Sequence, residues 1–278
     1  MARRDEFQRG KYWSVSCNPI QLADGGYHCT KISPGCAHCW AEGISRQIGS
    51  GNYDSRPVEY RLLTHKLEIL RNSTTPRVVF LCDLMDLFHV AVPRQIIVEI
   101  FAAMIAMPQH CFIVLTKRAA WAKTFFENDY RTRFGKGPLP WHIGIGVSCE
   151  SQGLYNERAG LLGQITAETK IVSFAPLLGP IDFDSRQAPL LSHFDWVLIE
   201  AESRGKYPGR ICDWRWVRDI VLEARARDVS VYVKQVHVGR RLVRHWSELP
   251  PGTPFREFPR RWIDAARQAG IYGRNSRG

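Results

Sequence analysis

Seven runs of nearly continuous apolar, often β-branched residues recur along the chain. They lie at 12–17 (YWSVSC), 77–82 (RVVFLC), 110–116 (HCFIVLT), 141–150 (WHIGIGVSCE), 170–176 (KIVSFAP), 195–203 (DWVLIEAES) and 229–235 (VSVYVKQ). Unbroken rather than alternating apolar character predicts strands buried on both faces, as in a parallel sheet. Between the runs, apolar residues fall at helical spacing, predicting helices over 40–48, 59–71, 93–106, 117–129, 155–165, 214–227 and 262–270. Pro93 stands in the favoured first turn of its helix and Asp213 is placed to cap another. Residues 18–28, with Pro19 and Asp24-Gly25-Gly26, read as a loop. The two glycines of the 141–150 run mark a strand to which something approaches closely.

Strand–helix alternation of this kind predicts one α/β domain with a parallel sheet, spanning 1–278, with basic N-terminal and C-terminal extensions, the latter from about 236. Order alone does not separate an open sheet from a (βα) barrel. The polar residues favour the barrel, because they gather at the C-terminal ends of the strands, which a barrel brings to one mouth. These are Asp83 and Asp86, Thr116-Lys117-Arg118, Ser148 and Glu150, Glu200 with Glu202 and Ser203, and Lys234-Gln235. The structural alternative is that many of them are ordinary caps and solvated loop residues.

The stretch CTKISPGCAHCWAE, 29–42, carries the most specific chemistry. Cys29, Cys36 and Cys39 are spaced C-x6-C-x2-C around a Ser33-Pro34-Gly35 turn. Three thiols converging from one short loop suit a soft metal centre, and an iron–sulfur cluster on them would either take a fourth ligand from elsewhere or leave one iron open for a small molecule. A zinc site completed by His28, His38 or Cys17 is an alternative, as are buried, unligated thiols. The polar, charged opening MARRDEFQRGK and the cysteines in apolar runs, such as Cys82 and Cys111, argue against a disulfide framework and for a reducing, cytoplasmic setting. No apolar run approaches membrane-spanning length.

Charge adds a partner. Lys plus Arg is 38 and Asp plus Glu is 27, a net charge of +11, which favours a polyanion, nucleic acid first. Arginines cluster near both ends: Arg3, Arg4 and Arg9, then Arg240, Arg241, Arg244, Arg256, Arg260 and Arg261, with tryptophans and tyrosines among them. Arg240, Arg241 and Arg244 are the candidate phosphate contacts. A basic, solvated surface without a nucleic-acid partner is the plain alternative.

Taken in order, SPGCAHCWAE, DLMDLFH (83–89), VLTKRAAW (114–121), GIGVSCESQ (144–152), VSFAPLLGPID (172–182), DWVLIEAES and VYVKQ (231–235) resemble a phage-associated three-cysteine family of phages and bacteria, described as radical-SAM-like. The resemblance covers Trp13 to Gln235. The chain departs from that pattern at Trp40 (Tyr in the family), Ala175 (Glu), the run Glu200-Ala201-Glu202-Ser203-Arg204 (Gly-Gly-Glu-Ser-Gly) and Val236 (Trp), and its cysteine spacing is longer than the usual C-x3-C-x2-C.

The resemblance implies a partial or complete TIM-type barrel with a [4Fe-4S] cluster on Cys29, Cys36 and Cys39, and S-adenosylmethionine (SAM) on the open iron. An external electron donor would be required, and the product would be a 5′-deoxyadenosyl radical. It further implies Trp40, Asp83, Asp86, Thr116, Ser148, Glu150 and Glu200 as cofactor contacts and Lys117, Glu202 and Lys234 as substrate or catalytic groups. The expected activity is on a DNA base, rearranging or elaborating a hypermodified pyrimidine in phage DNA. Repair of a DNA photoproduct is the alternative within the same chemistry, and a non-catalytic zinc-bearing nucleic-acid-binding protein is the alternative outside it.

Overall fold

The computed structural model describes residues 9–48, 53–54, 56–203 and 209–271. Its strands are β1 (Val15–Cys17), β2 (Ile20–Leu22), β3 (Tyr60–Leu62), β4 (Val78–Leu81), β5 (Cys111–Thr116), β6 (Ile143–Ser148), β7 (Lys170–Phe174), β8 (Trp196–Glu200), β9 (Ser230–Val238) and β10 (Arg241–Val243). The helices are α1 (Trp40–Gln47), α2 (Thr64–Arg71), α3 (Arg94–Ile105), α4 (119–134), α5 (152–163), α6 (Trp214–Ala226) and α7 (Ile263–Gln268). Eight strands form one sheet in the order β1-β4-β5-β6-β7-β8-β9-β10. All neighbours are parallel except the final hairpin β9–β10. Each of the seven apolar runs holds one of the parallel strands, so the expected α/β class and sheet type are observed.

Several local expectations change. The apolar spacing over 59–71 predicts one helix, yet Tyr60–Leu62 is a strand and only Thr64–Arg71 is helical. Ile20 and Leu22, in the stretch expected to be loop, pair with Leu62 and Tyr60. Long-range pairing has overridden a local pattern that three residues are too few to fix. Pro93 stands one position before the first turn, at the N-cap of α3. Asp213 caps α6 as expected, accepting from the Arg215 amide at 2.9 Å. Residues 236–271 of the expected C-terminal extension pack onto the sheet. β9 runs on to Val238, β10 folds back on its end, and Tyr232 forms a bridge with Arg256. The Val233 amide donates to Phe255 O and the Glu257 amide to Val231 O, at 2.7 and 2.9 Å.

Side chains alternate between two cores. Val79, Leu81, Val114, Ile145, Val172, Val197 and Val231 pack toward the helices, against Ile97, Phe101, Phe125, Leu162 and Ile220. The opposite face presents Val78, Cys111, Ile113, Ile171, Trp196, Leu198 and Tyr232, and these are covered by Tyr12, Phe258 and Trp262. The Tyr12 ring lies 6.2 Å from Phe80 on β4 and 5.4 Å from Tyr232 on β9. In a flat sheet those two strands would stand about 24 Å apart, at about 4.8 Å per strand. The sheet therefore curls around this second core, in a barrel-like manner. Among the described residues no pairing joins β1 to β9 or β10, so the curl is bridged by side chains rather than closed by hydrogen bonds.

The close approach expected at the glycines of β6 is real, and it is made by protein. A Cβ on Gly146 would lie 2.6 Å from Ile171 O and 2.7 Å from Leu115 Cδ2, and one on Gly144 would lie 2.7 Å from Ile171 Cδ1 and 3.0 Å from Trp262 Cη2. Gly146→Ala is expected to cost about 1–3 kcal/mol through overpacking, read as a lowered urea midpoint with an unchanged slope; an unchanged midpoint would show that the curled core has room to spare.

Candidate functional site

The cysteine loop crosses the C-terminal ends of the strands. Ser33-Pro34-Gly35 forms a single 3₁₀ turn, Pro34–Cys36, closed by the Cys36 amide on Ser33 O at 2.9 Å. Cys39 then opens α1. Beneath the turn lies Glu150, wholly buried. It accepts from Ser33 Oγ at 2.6 Å and Arg158 Nη1 at 3.0 Å, and it pairs with Lys117. Burial by itself would raise the Glu150 carboxyl, but Lys117, Ser33 and Arg158 hold it below its usual value. A Cβ at Gly35 would overlap this carboxylate, which is why the turn carries glycine there.

Asp86 is a second support. Its Oδ1 accepts from Thr116 Oγ1 at 2.7 Å and the Phe88 amide at 3.0 Å; its Oδ2 accepts from the Lys117 amide at 3.0 Å and Arg118 Nη1 at 2.9 Å. Arg118 reaches on to Thr30 O and Thr30 Oγ1 at 2.9 and 2.7 Å, and to Cys29 Sγ at 3.6 Å. Asp86 thus fixes the arginine that fixes the first cysteine. Glu202 forms a third tie. It accepts from His38 Nδ1 at 3.0 Å and from the Arg210 amide and Nε at 2.8 and 3.1 Å, while Arg210 Nη2 donates to Pro34 O at 3.0 Å. Despite burial, Arg210 and His38 bring the Glu202 carboxyl down to about 2.

These ties surround one cavity, which holds about 1210 Å³ of non-protein space counting the solvent at its mouth. Cys29, Cys36, Cys39, Trp40, Asp83, Asp86, Thr116, Lys117, Ser148, Glu200, Glu202 and Lys234 all line it. Twelve residues drawn from across the chain therefore meet at one site. Glu150 does not line it; expected to contact a cofactor, it is instead the buried footing of the loop. Asp86 and Thr116 line the cavity as well, and the bonds above make both of them part of the framework that holds Arg118 and the cysteine loop. Asp83 is different. Ser16 Oγ and Asn18 Nδ2 each donate to one of its oxygens, at 2.5 and 2.6 Å, leaving lone pairs for a ligand. At the floor, Glu200 accepts from Tyr12 OH at 2.8 Å and from Lys234 Nζ at 2.7 Å.

Arg240, Arg241 and Arg244 lie outside the cavity on the β9–β10 hairpin, which continues from the strand end at its rim. Arg240 and Arg241 are exposed, Arg241 pairing with Glu248 at 2.9 Å. Arg244 Nε donates to Gln235 Oε1 at 2.8 Å, and Gln235 in turn holds Ala201 O and Ser203 Oγ at the cavity edge. Arg3, Arg4 and Arg204 lie outside the described residues. Of the departures from the family pattern, Trp40, Ala175, Glu200, Ala201, Glu202 and Ser203 line the cavity, whereas Val236 is buried in the outer core. Sequence reasoning did not single out Tyr12, Trp13, Phe80, Ser173 or Arg210. Period-2 alternation places Ser173 on the inner face, yet nothing local separates an inner from an outer serine.

The chemistry of the three thiols fits a metal cluster. Burial pushes the Cys29 thiol up to about 11, helped by the Asp86 carboxylate and opposed by Arg118 and the Asp86 amide. Cys36 is half-buried, and Lys117 and hydrogen bonds from Ile32 and Ser33 outweigh that burial and lower it. Burial raises Cys39, against the amides of Glu42 and Ala41 in the first turn of α1. Arg118 Nη1 at Cys29 Sγ and Ser33 Oγ at Cys36 Sγ, each at 3.6 Å, are groups of the kind that orient and tune a sulfur ligand. Among the described residues no three His, Cys, Asp or Glu groups converge on one ion. Two of the expected zinc partners are also committed elsewhere. Both ring nitrogens of His28 are engaged, by Tyr60 OH and Asp54 O, and Cys17 is buried against Lys66 O.

No helix among the described residues is long and apolar enough to cross a membrane. No curated protein and no solved structure matches the chain. Residues 18–248 match the profile of the DUF5131 family, described as a protein of unknown function. That span holds the cysteine loop, all the parallel strands from β4 to β9 and almost the whole cavity wall, and the chain belongs to the DUF5131 family.

Proposed function

We propose that this protein is a radical SAM enzyme with a (βα) barrel-type scaffold that acts on a base in DNA. The observation that carries the reading is the meeting, in one cavity at the C-terminal ends of parallel strands, of three thiols from one loop, with Arg118 Nη1 3.6 Å from the Cys29 sulfur. Cys29, Cys36 and Cys39 would hold three irons of a [4Fe-4S] cluster, with the fourth open to SAM. When bound, cluster and SAM supply one-electron cleavage of SAM to methionine and a 5′-deoxyadenosyl radical, the electron coming from an external donor.

The chain's own residues position and shield. Asp83 offers acceptor oxygens to an ammonium or ribose hydroxyl. Lys117 stands 19 % exposed above Glu150 and faces the cavity as a cation next to Cys36. Trp13, Phe80 and Leu115 form an apolar wall that excludes water from the reacting carbon. The net charge of +11 and the exposed Arg240 and Arg241 on the rim hairpin suit a phosphate backbone tracking past the mouth. A base inside a duplex cannot reach the cavity, so it enters single-stranded or flipped.

The test is anaerobic incubation with SAM, dithionite and phage DNA carrying modified pyrimidines, followed by mass spectrometry of the nucleosides. Expected are 5′-deoxyadenosine and an altered nucleoside, with DNA binding that weakens steeply as salt rises. Asp83→Ala should weaken SAM binding about tenfold while Cys111→Ala leaves it unchanged. A protein that holds zinc in place of iron, and turns over no SAM, would replace this reading with a nucleic-acid-binding one.

A further inference from the structure

We propose that Arg118 is a positioning residue that sets the redox potential of the site: its buried guanidinium, held against the Cys29 sulfur, makes a cluster on the cysteine loop easier to reduce, and Asp86 opposes it. The inference rests on the cluster reading above and adds the side chains that govern how readily the centre accepts an electron.

The geometry is that of an arginine with no freedom to move. Arg118 lies just past the end of β5 and is 9 % exposed. Its Nη1 is shared between Asp86 Oδ2 at 2.9 Å and Cys29 Sγ at 3.6 Å. Its Nη2 donates to Thr30 O at 2.9 Å and to Thr30 Oγ1 at 2.7 Å. Asp86 is itself fixed by Thr116 Oγ1 and by the amides of Phe88 and Lys117. A lysine, with its donors on one atom, would not span these partners as the planar fork does. The order carboxylate, cation, sulfur parallels the outer carboxylates that orient the ligands of metal centres. Lys117 is the other cation near the loop, but its Nζ is given to Glu150 and is more exposed.

Reduction adds one negative charge to a cluster and its ligand sulfurs. A hydrogen bond to a sulfur and a nearby positive charge both favour the reduced form, so both raise the potential. Arginine keeps its proton throughout, and burial limits screening of its charge by solvent and salt. Asp86 meets the same Nη1 and works the other way. The field at the Cys29 sulfur is therefore the difference between two opposed groups, and removing one should shift the potential in the opposite sense to removing the other. That opposition separates tuning from stapling. As a staple, Arg118 holds Thr30 and Asp86 holds Arg118, so removing either would loosen the same loop and act in the same sense.

The test is a redox titration of wild type, Arg118→Gln, Asp86→Asn and Thr30→Ala, purified without oxygen and free of SAM. Iron is counted and the midpoint potential is read by electron paramagnetic resonance. Arg118→Gln is expected to disfavour reduction by about tenfold, a fall of about 59 mV for a one-electron couple. Asp86→Asn should move the potential upward. Thr30→Ala removes one bond of the staple and leaves Nη1 on the sulfur, so its potential should match wild type. If Arg118→Gln holds no iron, the sign of the Asp86→Asn shift decides. Shifts of the same sense in both, no shift in either, loss of iron from both, or a shift in Thr30→Ala as large as that in Arg118→Gln would reduce Arg118 to a staple and overturn the proposal. Its failure is separable from that of the cluster reading. Wild type without iron removes the cluster itself, and the role of Arg118 with it; iron-loaded wild type whose potential ignores Arg118 and Asp86 removes only that role.

Discussion

Cys36→Ala protein purified without oxygen is expected to contain neither iron nor labile sulfide, whereas Cys111→Ala retains both. Cys36 sits on the 3₁₀ turn and is the one loop thiol whose surroundings favour the thiolate, through Lys117 and hydrogen bonds from Ile32 and Ser33. Loss of one of three ligands from a cluster that already lacks a fourth protein thiolate leaves too few to hold it. Cys29 and Cys39 are held as thiols by burial, so metal loading must displace their protons and should be favoured by raising the pH. Cys111 lies in the second core beside Ile113 and Val78, away from the cavity lining, so its loss costs packing alone. Iron and sulfide analysis with electron paramagnetic resonance of the reduced protein reads the outcome. Full iron retention in Cys36→Ala would remove the assignment of the cluster to this loop.

Glu150→Ala is expected to lower stability by about 3–5 kcal/mol, because it strands the buried Arg158 and the half-buried Lys117 without their counter-ion. The side chain is completely buried, Arg158 is 4 % exposed and Lys117 19 %, so solvent screens little of the loss. At about 2–4 °C per kcal/mol for a chain of this size class, the melting temperature should fall by about 6–20 °C. The pH dependence follows from the direction of the shift. The folded carboxyl titrates below its unfolded value of 4.5. Its contribution is complete above that value and is lost as pH falls through the lower folded value. The gap between wild type and Glu150→Ala should therefore be widest near neutral pH and close in acid. Because the carboxylate carries the Ser33–Cys36 turn, the variant should also lose iron faster on dilution. A variant as stable as wild type at pH 7 would mean that Lys117 and Arg158 find other partners and that the turn does not depend on Glu150.

The sequence by itself determined the class of the fold and the place of the chemistry. Seven uninterrupted apolar runs separated by helical patterns leave little choice but a parallel sheet wrapped by helices, since only strands buried on both faces are apolar throughout. Cys29, Cys36 and Cys39 were legible as one site because their spacing is local. The strand-end residues converged as expected because parallel strands necessarily present all their C-terminal ends on one side.

Only the tertiary structure decided what each of those residues does. Asp86, Thr116 and Glu150 look in sequence like Asp83 and Ser148, yet the first three spend their polar atoms on Arg118, Lys117, Arg158 and Ser33, whose identity as partners depends on contacts up to 117 positions away. Tyr60–Leu62 became a strand because β2 lay beside it, and 236–271 became part of the sheet and the second core because β9 had an unpaired edge and the curl had an unfilled interior. Ser173 emerged as a site residue for the same reason. A hydroxyl is unsatisfied only with respect to everything around it, and its partners in register, Ser148 on β6 and Leu198 on β8, are both distant in the chain.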